Sequence, residues 1–238
     1  MSSLRALTFA IALLAMAALP VAGGAAPVDP DVALEFYNAA LQTLVAPPIE
    51  SFEFRVEQAG PDHNLSEAHR VYRQGSLERD ETLMDGGGRL SPPSVRIHRK
   101  AKDRYALAQL APRDDRYVFA FVSRRKDGHH YDYVYRVLAK SGGPFEVTGM
   151  ILDGIHFLPI SISFVTTQGK VRSSGTVTFA QAEKYWVVRE AVAVAHLDDA
   201  DETRERISFS SYHFPSALPP STFGRPKPLS LGPLIVLK

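Results

Sequence analysis

His129-His130 follows Asp127-Gly128, and His130 and Asp132 stand two residues apart. On a strand that spacing puts an imidazole and a carboxylate on one face. Those groups could begin a metal site, but such a site needs a third and a fourth ligand. His156 and His69 qualify only by residue type. No spacing in the chain matches a ligand pattern, so the segment reads as an exposed turn and no metal is expected. Asp198, Asp199, Asp201 and Glu202 crowd together but lack the glycine and closing glutamate of a calcium loop; they read as a solvated turn. Nucleophilic chemistry is equally bare. The chain has no cysteine and no serine in a Gly-x-Ser-x-Gly elbow, and Ser161 and Ser163 have no histidine in phase. Gly86-Gly87-Gly88 lacks the lysine and hydroxyl that would make a phosphate cradle, so it reads as a turn. No catalytic residue and no cofactor is expected, and the chain does not read as an enzyme.

Aromatic residues are the remaining candidates. Phe52, Phe54, Phe119, Phe121, Tyr133, Tyr135, Trp186 and Phe209 are spread over most of the apolar runs. Some must form an ordinary core. A curved sheet with too little helix to cover it would also leave a concave apolar face, which is what an acyl chain needs. These eight are the candidate groove residues.

The elements that would position them follow from periodicity. Asp29-Pro30 is a helix start, a capping side chain before proline. Leu34, Tyr37, Leu41 and Leu44 continue as one apolar stripe, and Pro47-Pro48 stops it. At 1.5 Å per residue a helix of about fifteen residues is only ~22 Å long, too short to roof a wide sheet. Phe52, Phe54 and Val56 alternate with Glu53, Arg55 and Glu57, a half-buried strand. Gly60 to Ser66 reads as a turn, and short strands are expected at His69 to Arg73 and Leu77 to Leu83. Tyr117 to Ser123 is apolar on both faces and is expected to be covered on both. Asp127-Gly128 and Asp153-Gly154 are hairpin signals. Tyr185 to His196 and Ile207 to Phe214 form the longest pair of strands, closed by Leu218-Pro219-Pro220. Ten or eleven strands with one clear helix predict a mainly β (α+β) chain built on a single large curved antiparallel sheet.

Residues 1–25 read as an export signal: Arg5, an apolar run from Leu7 to Leu19, then small residues through Ala26. The rest suits one all-β domain, which reaches roughly 200–250 residues. Residues 30–223 are expected to be that domain, and 224–238, rich in proline and leucine, a loosely held tail. With no cysteine, neither disulfides nor a lipid-bearing cysteine is available. A net charge of +1, from 27 basic and 26 acidic residues, gives no reason to expect nucleic acid.

An export signal, an amphipathic helix, a Phe-x-Phe strand and a long meander precede Tyr185-Trp186-Val187-Val188-Arg189, Ile207-Ser208-Phe209-Ser210-Ser211-Tyr212 and Leu218-Pro219. This order resembles the periplasmic lipoprotein-carrier superfamily, which includes outer-membrane lipoprotein-sorting carriers, their receptors, and sensor domains regulating envelope-stress sigma factors. The resemblance implies an open half-barrel with a helix as partial lid. The helix carrying Leu34, Tyr37 and Leu41 would be that lid. It further implies a soluble periplasmic protein binding lipid acyl chains or lipoproteins, with a membrane-bound donor or acceptor as partner. An alternative is a sensor or interaction module of the same fold, and a more distant one a hydrolase. Arg55 lies in an early strand, but no family role is carried over to it.

Overall fold

The computed structural model describes residues 27–61, 64–101, 105–197 and 202–224. The expected export signal over 1–25, the expected tail beyond Gly224 and the acidic residues Asp198, Asp199 and Asp201 lie outside them.

Helix α1 spans Pro30–Thr43. Asp29 caps it, its side chain accepting from the Asp31 amide at 2.9 Å, and Pro30 takes the first position, where no amide donor is needed. Strands β1 (Ile49–Ala59), β2 (Asn64–Gln74), β3 (Leu77–Asp85) and β4 (Gly88–His98) follow as one meander. A connection carrying the one-turn helix α2 (Leu107–Leu110) leads to a second meander. It comprises β5 (Tyr117–Asp127), β6 (His130–Ala139), β7 (Phe145–Leu152), β8 (Pro159–Gln168), β9 (Val171–Ala182), β10 (Tyr185–Leu197) and β11 (Thr203–His213). A 3₁₀ turn at Pro220–Phe223 ends the described chain, where Arg79 donates to the Thr222 carbonyl at 3.0 Å.

All eleven strands lie in one antiparallel sheet, ordered β4-β3-β2-β1-β11-β10-β9-β8-β7-β6-β5. The first strand therefore pairs with the last: Phe54 faces Phe209 and Val56 faces Ile207. The edge strands β4 and β5 do not pair, so the sheet stays open as a half-barrel. The link between β4 and β5 has to travel from one edge of the sheet to the other. Leu107, Ala111 and Pro112 are buried along that path.

Helix α1 packs on the β5–β9 side. Its buried residues Ala33, Tyr37 and Leu41 join a core with Tyr133, Tyr135, Val137, Met150, Leu152 and Ile162. The Tyr133 hydroxyl donates to the Val28 carbonyl at 3.2 Å and the Tyr135 hydroxyl to the Pro30 carbonyl at 2.7 Å, fixing the start of the helix on β6.

Two expectations change. Tyr117 to Ser123 belongs to β5, an edge strand, and is not covered on both faces: Val118 is 49% and Val122 60% exposed. Strand β2 begins at Asn64, inside the segment expected to be a turn, because its pairing with β1 runs on to Ala59.

Candidate functional site

The sheet half left uncovered by α1 holds a cavity of about 200 Å³. Phe52, Phe54 and Val56 of β1, Val71 of β2, Trp186 and Val188 of β10, and Ile207, Phe209 and Tyr212 of β11 form its wall. The roof is not the helix face. It is the chain leaving α1, Leu44 to Pro47, and the crossing connection at Tyr105 to Ala108.

A bulge makes the β11 wall. Between Ser51 and Glu53 strand β1 advances two residues, while its partner advances three, from His213 to Ser210. Ser211 absorbs the extra residue in the left-handed region, at φ 55°. The shift returns Tyr212 to the face occupied by Phe209, although three residues separate them. Both rings then stand beside Phe52, at 6.1 Å for Phe209 and 5.4 Å for Tyr212. The Tyr212 hydroxyl donates to the Val188 carbonyl at 2.9 Å, and burial pushes its pKa well above the usual phenol value. Trp186 donates from Nε1 to the Pro159 carbonyl at 2.8 Å, which fixes its indole plane.

One end of the cavity is polar, with its charges paired internally. Arg73 spans two carboxylates, reaching Glu50 at 2.9 Å and Glu78 at 2.6 Å, and its guanidinium stacks over Phe52 at 5.5 Å. Its side chain is 14% exposed, so this is a largely desolvated cluster that fixes the strand ends. Beside it, the His69 ring stacks flat on Phe54 at 4.4 Å. Its two nitrogens meet Asp80 at 2.8 Å and Glu67 at 3.1 Å. Burial alone would lower the His69 pKa, but the hydrogen bonds and charges of Asp80 and Glu67 outweigh it, and the net direction is upward.

The candidate groove residues separate into two groups. Phe52, Phe54, Trp186 and Phe209 line the cavity. Phe119, Tyr133 and Tyr135 lie under α1 instead, with Phe119 edge-on to Tyr37 at 6.1 Å. Phe121 is 43% exposed on the edge strand, with Arg124 over its ring at 5.8 Å. Leu34, Tyr37 and Leu41 pack into the core beneath the helix rather than over the cavity. Arg55 points outward, 3.8 Å from Glu57. Val71 and the roof at Tyr105 to Ala108 escaped sequence reasoning, and Tyr212 reads in the sequence as a strand aromatic but is not among the eight groove candidates. Strand alternation through Val71 could have found the first; the bulge at Ser211 hides Tyr212.

No family model and no curated protein matches the chain. Solved structures do match. A LolA superfamily protein from Nitrosomonas europaea aligns at 12% identity over 80% of this chain and 96% of its own, with a TM-score of 0.41. A domain from Vibrio parahaemolyticus assigned as an outer membrane lipoprotein-sorting protein aligns at 15% identity over 82% and 97%, with a TM-score of 0.44. The MucA/MucB complex of Pseudomonas aeruginosa contributes a chain at 13% identity over 80% and 100%, with a TM-score of 0.23. With each TM-score below 0.5, none of these likenesses bears on what the cavity holds.

Proposed function

We propose that the chain is an exported periplasmic protein that carries an apolar segment, the acyl chain of a lipid or lipoprotein, in the cavity between β1, β2, β10 and β11. One observation carries the reading. Among the described residues, a sheet half rich in aromatic residues is left uncovered by α1 and roofed by chain that connects other elements. The charges at the polar end face one another, so the wall offers apolar contact rather than a waiting ion pair. The protein's work would be holding and release, without chemistry.

Size sets a condition. An apolar cavity of about 150 Å³ holds the six carbons of benzene, so about 200 Å³ takes about eight carbons. At ~0.8 kcal/mol each, about eight methylenes supply ~6 kcal/mol, between millimolar and micromolar binding. Burying a longer chain therefore requires the roof to lift.

Trp186 is the sole tryptophan and lines the cavity, so its emission reports occupancy directly. Fatty acids brominated along the chain are expected to quench it. Affinity should keep rising with chain length beyond about eight carbons, and Phe54→Ala should weaken binding about tenfold, a loss of ~1.4 kcal/mol. Emission unmoved by fatty acids of any length would remove the acyl reading.

A further inference from the structure

We infer that the turn between β5 and β6, together with the turn after β7, forms a binding site for a divalent first-row transition ion such as Zn²⁺. The site lies on the α1-covered half of the sheet, joined to the cavity wall through His156, which meets Asp153 and packs on Trp186 at 5.4 Å, and it does not depend on the acyl reading.

The ligands come from two turns. Asp127 and His130 face each other across the β5–β6 hairpin, and Asp132 follows on the same face as His130. Ligand atoms of Asp127, His130 and Asp132 lie within 4.8 Å of one another. A further carboxylate, close to His130, comes from the neighbouring hairpin. Strand β7 pairs with β6 up to Tyr133 and Leu152, which brings Asp153 beside His130. Asp153 can come this close because Gly154 follows it: a Cβ there would stand 1.9 Å from the Tyr131 carbonyl oxygen.

Both buried carboxylates are held by one oxygen and present the other to the same nitrogen. Asp132 Oδ2 accepts from Arg125 at 2.7 Å. Asp153 Oδ2 accepts from the Ile155 amide at 3.3 Å and the His156 amide at 2.6 Å, and meets His156 Nδ1 at 2.7 Å. The remaining oxygens, Asp132 Oδ1 and Asp153 Oδ1, stand 3.4 and 3.5 Å from His130 Nε2. Zinc bonds of about 2.0–2.2 Å to nitrogen and oxygen place tetrahedral neighbours roughly 3.3–3.5 Å apart. Both oxygens already stand at that spacing from the nitrogen.

The second observation is an orphan. Asp132 is fully buried, and its Oδ1 has no hydrogen-bond partner among the described residues. A single imidazole N–H can serve only one of the two oxygens that face it. A buried carboxylate oxygen without a donor is costly, and a cation in place of the proton on Nε2 would satisfy both. Three carboxylates against the Arg125 guanidinium leave two negative charges for a divalent ion. The pinned Oδ2 atoms are the outer contacts that orient ligands in built metal sites. The imidazole is the ligand that favours zinc and its neighbours over calcium or magnesium. The His130 side chain is 24% exposed, so an ion could enter from solvent and keep an open position.

The test uses the untagged, chelator-treated chain, titrated with Zn²⁺ by calorimetry and with Co²⁺ by visible absorption, with Ca²⁺ and Mg²⁺ alongside. The expected result is one Zn²⁺ per chain at micromolar affinity or better, a Co²⁺ band of tetrahedral intensity, and little response to Ca²⁺ or Mg²⁺. His130→Ala should weaken Zn²⁺ binding at least tenfold and abolish the cobalt band. Asp153→Asn, which retains the carbonyl oxygen that caps the turn, should weaken it less. Absence of saturable binding by wild type overturns the site, as does a His130→Ala variant that folds by circular dichroism and binds like wild type.

Discussion

His69 shows how one residue can tie the cavity wall to pH. Its ring lies on Phe54, and its nitrogens face Asp80 and Glu67. Because its folded pKa is raised, the protonated ring stabilises the native state. That contribution is complete below the ordinary histidine value of 6.5 and is lost as pH rises through the higher folded value. The melting temperature of wild type, compared with His69→Gln, should therefore show an advantage that is greatest in mild acid and shrinks toward alkaline pH. A difference independent of pH would mean that the ring acts only as a stacking partner. This cluster was not legible in the sequence. His69 and Asp80 lie on different strands, and their meeting depends on the β2–β3 register, in which His69 faces Thr82 and Val71 faces Asp80. The same holds for His130 and Asp153: His130 and Asp132 were visible as a pair two apart, but the group beside them comes from a turn brought close by a glycine.

At the scale of elements, hairpins were the readable part. Asp127-Gly128 announces its turn because Gly128 takes a positive φ of 55°. The Phe-x-Phe alternation of β1 and the capped start of α1 are local signals of the same kind. The β5 position was unreadable, since apolar residues on both faces of a strand look the same at an edge as in the middle of a sheet. The pairing of β1 with β11 was also hidden, because no local pattern links residues some 150 positions apart. Two glycines test how closely the strands approach. Gly154 packs on the Tyr131 backbone, and a Cβ at Gly175 would lie 2.3 Å from the Val192 carbonyl oxygen and 2.6 Å from the Phe164 ring. Each Gly→Ala change should destabilise the fold by about 3 kcal/mol, the upper end of common single-substitution effects. Chemical denaturation would measure it. A cost below about 0.5 kcal/mol would mean that the backbone there can move aside.

Across the whole molecule, the crossing connection joins the two edges of the sheet and forms part of the cavity roof. Its anchor is a buried hydrogen bond from the Tyr37 hydroxyl to the Pro112 carbonyl, at 2.6 Å. Burial raises the Tyr37 pKa far above the phenol range, which keeps the donor proton in place at any physiological pH. Tyr37→Phe leaves that carbonyl without its donor, at a cost of about 1–3 kcal/mol. If the roof must lift for a ligand to enter, the same change should also speed binding and release of fatty acid, read by stopped-flow quenching of Trp186. Lower stability with unchanged rates would show that the anchor serves the fold alone.

The strand order also dictates the sequence of events during synthesis. The chain is delivered from its N-terminus, so β1 to β4 emerge while β11 is still unmade. Until then β1 has a partner on one side only, and Phe52 and Phe54 have no Phe209 to meet. An unpaired, aromatic strand edge is a template for wrong pairing, and long-range strand pairing forms slowly. The final hairpin of β10 and β11 is thus the clasp that completes the sheet. A chain that stalls before that hairpin would present the very edge that the finished protein keeps covered.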